Sequence, residues 1–141
     1  MLTTILELIV YVMVGLILMT LGHYIIDLVL PADFPKEIKE GNKAIGWVSA
    51  GIYIGLGFII RAAVMSLVSA KEEMKLLTGV LDTVIYSACG IAFFIIGFFL
   101  VDFVNRRFNF NEELAKKNEA AGIMIFGIFV GIALVISGVI L

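Results

Sequence analysis

One cysteine, one histidine and two prolines stand in a chain of 141 residues, and each scarcity closes a class of function. Cys89 alone supports neither a disulfide framework nor a thiolate metal cluster, and it lies inside an apolar run. His23 has no second histidine. With Asp27 four residues on it offers two ligands where a metal needs more, and without a placed nucleophile the two form no triad. Pro31 and Pro35 fall between apolar runs, so they punctuate helices without breaking one. Charge is also scarce, at 16% of residues, and the net charge of −2 gives no basic footprint, which excludes nucleic acid as a partner. No activated nucleophile, no pair of histidines with a carboxylate and no phosphate loop appears, so the chain reads as non-enzymatic, with no cofactor and no metal.

What is present is apolar: 62% of residues are hydrophobic, against about 45–50% in soluble domains. The charged residues gather in three clusters, Asp33 to Lys43, Lys71 to Lys75 and Arg106 to Glu119. Between them four runs reach the ~20 residues that a helix needs to cross a bilayer: Leu8 to Leu30, Ala44 to Val68, Gly79 to Val101 and Ala120 to Leu141. These runs are continuous rather than alternating, which favours helices over barrel strands. The first run has no basic region before it and exceeds the apolar core of a secretory signal, so it is expected to be a retained span. The fold class is an all-α membrane protein of four transmembrane helices whose partner is the lipid bilayer.

Basic residues orient the spans. The connections after spans 1 and 3 hold Lys36, Lys39, Lys43, Arg106, Arg107, Lys116 and Lys117, whereas the middle connection holds Lys71 and Lys75. The richer side is expected to be cytoplasmic, with both termini outside.

The chain repeats itself. At an offset of 75, Glu7 aligns with Asp82, Tyr11 with Tyr86, Gly22 with Gly97 and Asp27 with Asp102. At 76, Glu37 aligns with Glu113, Asn42 with Asn118, Gly51 with Gly127 and Gly55 with Gly131. The pattern predicts a tandem duplication of a two-helix hairpin, residues 1–68 and 69–141, related by a pseudo-twofold axis along the membrane normal. Gly51 with Gly55, and Gly127 with Gly131, are small-xxx-small pairs that let helices approach closely in lipid. They predict a packing seam within the chain or in a homo-oligomer, with a glycine-lined pore as the alternative. Asn109 and Glu112 have capping-box spacing and Pro35 suits a first turn, so each connection is expected to open a short helix that turns at Gly41 and Asn42 or at Asn118.

The repeated Glu-Ile or Glu-Leu followed by Asn-x-Ala, carried by Glu37, Ile38, Asn42, Ala44 and Gly51 and by Glu113, Leu114, Asn118, Ala120 and Gly127, resembles the YjfL-like family of small bacterial inner-membrane proteins, a domain of unknown function. The resemblance covers nearly the whole chain. It implies four spans, a bacterial inner-membrane location and genomic association with membrane-stress components, including proteins resembling phage-shock protein A, with ion channels and with polyamine-ligase-like proteins. It implies no catalytic residues.

Ionisable groups within spans are functional candidates by default. Asp27 and Asp102, at the cytoplasmic ends of spans 1 and 3, suit interfacial pairing, capping bonds with Asn42 and Asn118, or a cation-attracting vestibule. Arg61 lies ~25 Å along its helix at 1.5 Å per residue, level with Glu7 and Asp82, so an ion cluster of Glu7, Arg61 and Asp82 is expected, the alternative being that Arg61 snorkels to headgroups. The reading of the whole is an oligomeric accessory protein of membrane maintenance or envelope stress that meets a cytoplasmic membrane-stress protein; the rival is a small ion channel or transporter.

Overall fold

The computed structural model describes residues 2–69, 76–105 and 107–141. The middle connection, with Lys71 and Lys75, and Arg106 in the third lie outside the described residues. The elements are α1 (Leu2–Val29), α2 (Phe34–Lys39), α3 (Lys43–Ser69), α4 (Leu76–Val104), α5 (Phe110–Ala115) and α6 (Glu119–Ile140), with no strand among the described residues. Four helices, α1, α3, α4 and α6, are long and apolar enough to cross a membrane.

The helices outrun the apolar windows. The 28 residues of α1 rise ~42 Å at 1.5 Å each, well past the ~30 Å hydrocarbon core. Glu7, just ahead of the first apolar run, and Asp82 therefore sit in the second turns of α1 and α4. Hydropathy ends where hydrocarbon ends; a helix whose backbone bonds are already paired continues into the headgroups.

Each connection is built from local chemistry. Asp33 caps α2 by accepting from Lys36 N, and Pro35 occupies the first turn, where its missing N–H costs nothing. Asn109 caps α5 by accepting from the N–H groups of Asn111 and Glu112. Both short helices end on a left-handed residue, Gly41 at φ 77° and Lys117 at φ 62°. The chain then folds back so that Asn42 N donates to Glu37 O at 2.9 Å and Asn118 N to Glu113 O at 3.0 Å, the six-to-one bond of a Schellman turn.

The central helix is α3, with half of its spanning window buried; it packs on α6 above all, and on α4 and α1. Phe34 and Phe110, both fully buried, tuck the short helices beneath the bundle. Phe94 of α4 stacks on Phe129 of α6 with ring centres 5.0 Å apart. Of the aromatic run in α4, Phe94 and Phe98 point inward while Phe93 and Phe99 face outward. The outer surface of α1, α4 and α6 is a coat of exposed Leu, Ile, Val and Phe side chains, the composition that lipid tails solvate.

Candidate functional site

The polar groups concentrate at the end of the bundle that carries α2 and α5. Asp27, in the last turn of α1, accepts from Phe34 N at 2.8 Å, and Asp102 of α4 accepts from Phe110 N at 3.0 Å. Each aspartate thus ties the close of one long helix to the first turn of the short helix after it, supplying an acceptor to an N–H that the short helix leaves orphaned. The expected bonds from these aspartates to Asn42 and Asn118 are replaced by these backbone contacts.

Asn42 and Asn118 bond one turn further on. The Asn42 amide donates to Glu37 Oε2 at 2.7 Å, and its Oδ1 accepts from Ala44 N at 3.0 Å, capping α3. Asn118 repeats both bonds, to Glu113 Oε2 at 2.6 Å and from Ala120 N at 3.2 Å. Asn118, and after it Lys116, hold the Glu113 carboxyl below the ordinary glutamate value by bonding its charged form. The two asparagines then part company. Asn42 is 2% exposed and donates also to Leu114 O at 3.0 Å, joining the two connections; Asn118 is exposed.

Two further links cross between hairpins. Trp47 Nε1 donates to Glu119 Oε1 at 3.1 Å, and Lys117 lies 3.9 Å from Glu40, an exposed pair of little energetic weight. Deeper in the bundle, His23 Nε2 shares a 2.9 Å hydrogen bond with Ser49 Oγ. Its ring stacks on Tyr53 at 5.1 Å and meets Phe34 edge-on at 5.4 Å, so it is packed. Of the other span serines, Ser66 bonds back to Ala63 O within its own helix, and the buried Ser87 hydroxyl has no partner.

The expected ion cluster lacks its cation. Glu7 and Asp82 stand in the second turns of α1 and α4, two helices that pack on each other. Arg61 is exposed, and among the described residues the ion pairs are Lys116 with Glu113 and Lys117 with Glu40, so Arg61 has no salt bridge to either acid. Rise along the axis sets depth, but azimuth decides who meets whom: Arg61 shares its face with Trp47, Ile54, Phe58 and Met65, all exposed. That stripe is legible in the sequence at helical spacing.

The glycine seam divides as well. A Cβ on Gly51 would lie 2.9 Å from Phe126 Cα, and one on Gly55 2.5 Å from Phe94 and 3.2 Å from Phe129 O. Gly127 and Gly131 have nothing within 4 Å of such an atom, so within one chain they are not at a helix contact. The tightest approach of backbone to backbone is at Gly122, outside the predicted seam, where a Cβ would overlap the Ala44 backbone. No group of three or more His, Cys, Asp or Glu that could hold a metal ion occurs among the described residues.

What the polar end can do chemically is bind and position. Its carboxylates and amides are engaged in fixing α2 and α5 against the bundle, while Lys36, Lys39 and Lys116 remain on the outer surface.

Over residues 1–140 the chain matches the family described as Domain of Unknown Function (DUF350). It is 31% identical over 123 residues to a UPF0719 transmembrane protein of Aquifex aeolicus (strain VF5), covering 85% of this chain and 43% of that protein. It is 23% identical over 131 residues to the UPF0719 transmembrane protein YshE of Bacillus subtilis (strain 168), covering 93% of this chain and 90% of the relative. The chain thus spans less than half the length of the first relative and nearly all of the second. No solved structure matches it significantly. With four helices of membrane-crossing length and a match that runs almost end to end, the chain belongs to the DUF350 family of transmembrane proteins.

Proposed function

We propose that this is a non-enzymatic, homo-oligomeric accessory protein of the bacterial inner membrane, serving membrane maintenance or envelope stress through its α2 and α5 connections. The observation that carries the reading is the polar framework at that end: Asp27 and Asp102 accept from the first turns of the short helices, and Asn42 and Asn118 donate to Glu37 and Glu113 within them, which fixes a charged surface where a soluble partner can dock. The resemblance to YjfL-like proteins, with their association to stress components, agrees with it. Native membranes carrying a tagged copy, cross-linked and solubilised, are expected to yield a cytoplasmic partner that is lost when Lys36, Lys39 and Lys116 are all changed to Glu. Retention of every co-purifying protein by that variant would remove the reading.

The proposed orientation places α2 and α5 in the cytoplasm, by the excess of basic residues there. In a Cys89→Ser background, cysteine at residue 36 is expected to resist a membrane-impermeant maleimide applied to spheroplasts, and cysteine at residue 3 to react. The reverse labelling pattern would invert the topology.

A small ion channel or transporter is the second reading, favoured by Glu7 and Asp82 in the second turns of the packed helices α1 and α4, neither in a salt bridge to Arg61. Purified protein in liposomes under an imposed potential separates the two: ion flux abolished by Glu7→Gln with Asp82→Asn supports the channel, and silence supports the accessory role.

A further inference from the structure

We infer that copies of this chain join head to tail, the outward face of α6 on one copy packing against the outward face of α3 on the next. The inference deepens the oligomeric reading above and rests on it, together with the reading of the chain as a duplicated hairpin.

The template is the contact already inside the chain. There α3 offers a face of small residues, Ala44, Gly51 and Gly55, and α6 receives it on Gly122, Phe126 and Phe129. Residue i of the first hairpin corresponds to residue i+76 of the second, so each helix carries both kinds of face. The small face of α6 is Ala120, Gly127 and Gly131. The receiving face of α3 is Gly46, Ala50 and Tyr53.

Within one chain the small face of α6 is idle, and the receiving face of α3 is covered only in part, by the His23 ring stacked on Tyr53. Gly46, Gly127 and Gly131 have nothing within 4 Å of an added Cβ. Ala120 is exposed where Ala44 is buried, and Tyr53 is 38% exposed where Phe129 is 0%. The ~100° advance per residue puts the idle face of α6 opposite its buried one, so a second helix can add there without disturbing the first contact.

The polar ends agree. Asn42 donates across to Leu114 O, and Leu114 is 1% exposed. The counterparts are Asn118, which caps its helix and bonds Glu113 in the same way but lies exposed, and Ile38, 46% exposed at the foot of α2. Asn118 of one copy is thereby matched to Ile38 O of the next. Each departure from symmetry between the hairpins is a surface covered in one and waiting in the other.

A twofold dimer through α6 would cover the glycines but leave Ile38 and Gly46 bare and Tyr53 still 38% exposed. The head-to-tail contact covers all of them. Such a contact is heterologous, and copies held at one orientation by the membrane extend it until it closes as a ring. Close approach of small residues is the force available for it in lipid.

The test uses the full chain with Cys89→Ser. The ring centres of Trp47 and Phe126 lie 5.5 Å apart, so Trp47→Cys with Phe126→Cys is the control for cross-linking within one chain by a short bis-methanethiosulfonate. The intermolecular counterparts are Ile123→Cys and Ala50→Cys. Both in one chain are expected to give a ladder of covalent oligomers, and on separately tagged copies a mixed dimer, whereas Ile123→Cys alone gives none. Gly127→Leu is expected to abolish the ladder while helicity and the control cross-link persist. A dimer from Ile123→Cys alone overturns the head-to-tail arrangement, as does an oligomer by light scattering that yields no ladder. A monomer in native membranes and in mild detergent overturns the oligomeric reading itself.

Discussion

Gly122→Ala is expected to part α3 from α6 and to lower the stability of the bundle by about 3 kcal/mol, the upper range of overpacking in a closed core. The added Cβ would overlap the backbone oxygen, Cα and carbonyl carbon of Ala44, and backbone cannot swing aside as a side-chain tip can. In lipid the loss has no hydrophobic compensation, because separated helices are solvated by tails as apolar as their own surfaces. The comparison that isolates the mechanism is Gly127→Ala, where an added methyl meets nothing within 4 Å in the same chain. Reversible unfolding in micelles dispersed to one chain each should show a much earlier midpoint for the first variant and little change for the second. Equal midpoints would mean that the helices are not held by this approach.

Asn42→Ala is the other large effect expected, about 2–3 kcal/mol from loss of a helix cap together with the donated bonds to Glu37 and Leu114 O; Leu114 O keeps the bond from Lys117 N. Asn42 bonds Glu37, Ala44 and Leu114 from a site 2% exposed, so no water replaces it readily. Asn42→Asp separates the two contributions: it keeps the acceptor for the α3 cap but loses both donated bonds and sets a second carboxylate beside Glu37. The aspartate variant should therefore recover little of the loss. Asn118→Ala, measured on dispersed chains, should cost about 1 kcal/mol, the value of a cap, since its bond to Glu113 is solvent-exposed. If both alanine variants melt together, the bond to Leu114 O contributes nothing.

These pairs show where sequence reasoning ends. The four spans, the short lead-in helices, Pro35 in a first turn and the fold-back at Gly41 and Asn42 are legible because hydrophobic run length and local capping chemistry decide them. Asn42 and Asn118 stand in matching local sequences, Glu-x4-Asn-x-Ala, and make matching local bonds. What separates them is which hairpin's small face reaches the other's receiving face, a tertiary choice that no local window contains. The same holds for Gly51 and Gly127. Arg61 differs for another reason: rise per residue gives its level along the membrane normal, but its partners depend on azimuth, and it shares an exposed stripe with Trp47, Ile54 and Phe58 at helical spacing.

The central position of α3 bears on how the chain is made. It is the least apolar of the four spanning helices, carries Arg61, and reaches the bilayer before the helix that covers its glycines has been translated. At about 5–20 residues per second, the stretch from Ser69 to Glu119 keeps the ribosome occupied for several seconds. During that interval α3 has only α1, and then the emerging α4, to shelter it from lipid. The order of synthesis is thus built into the fold: α3 meets the bilayer with its narrow face open, and α6, translated after α4, is the helix that closes over it.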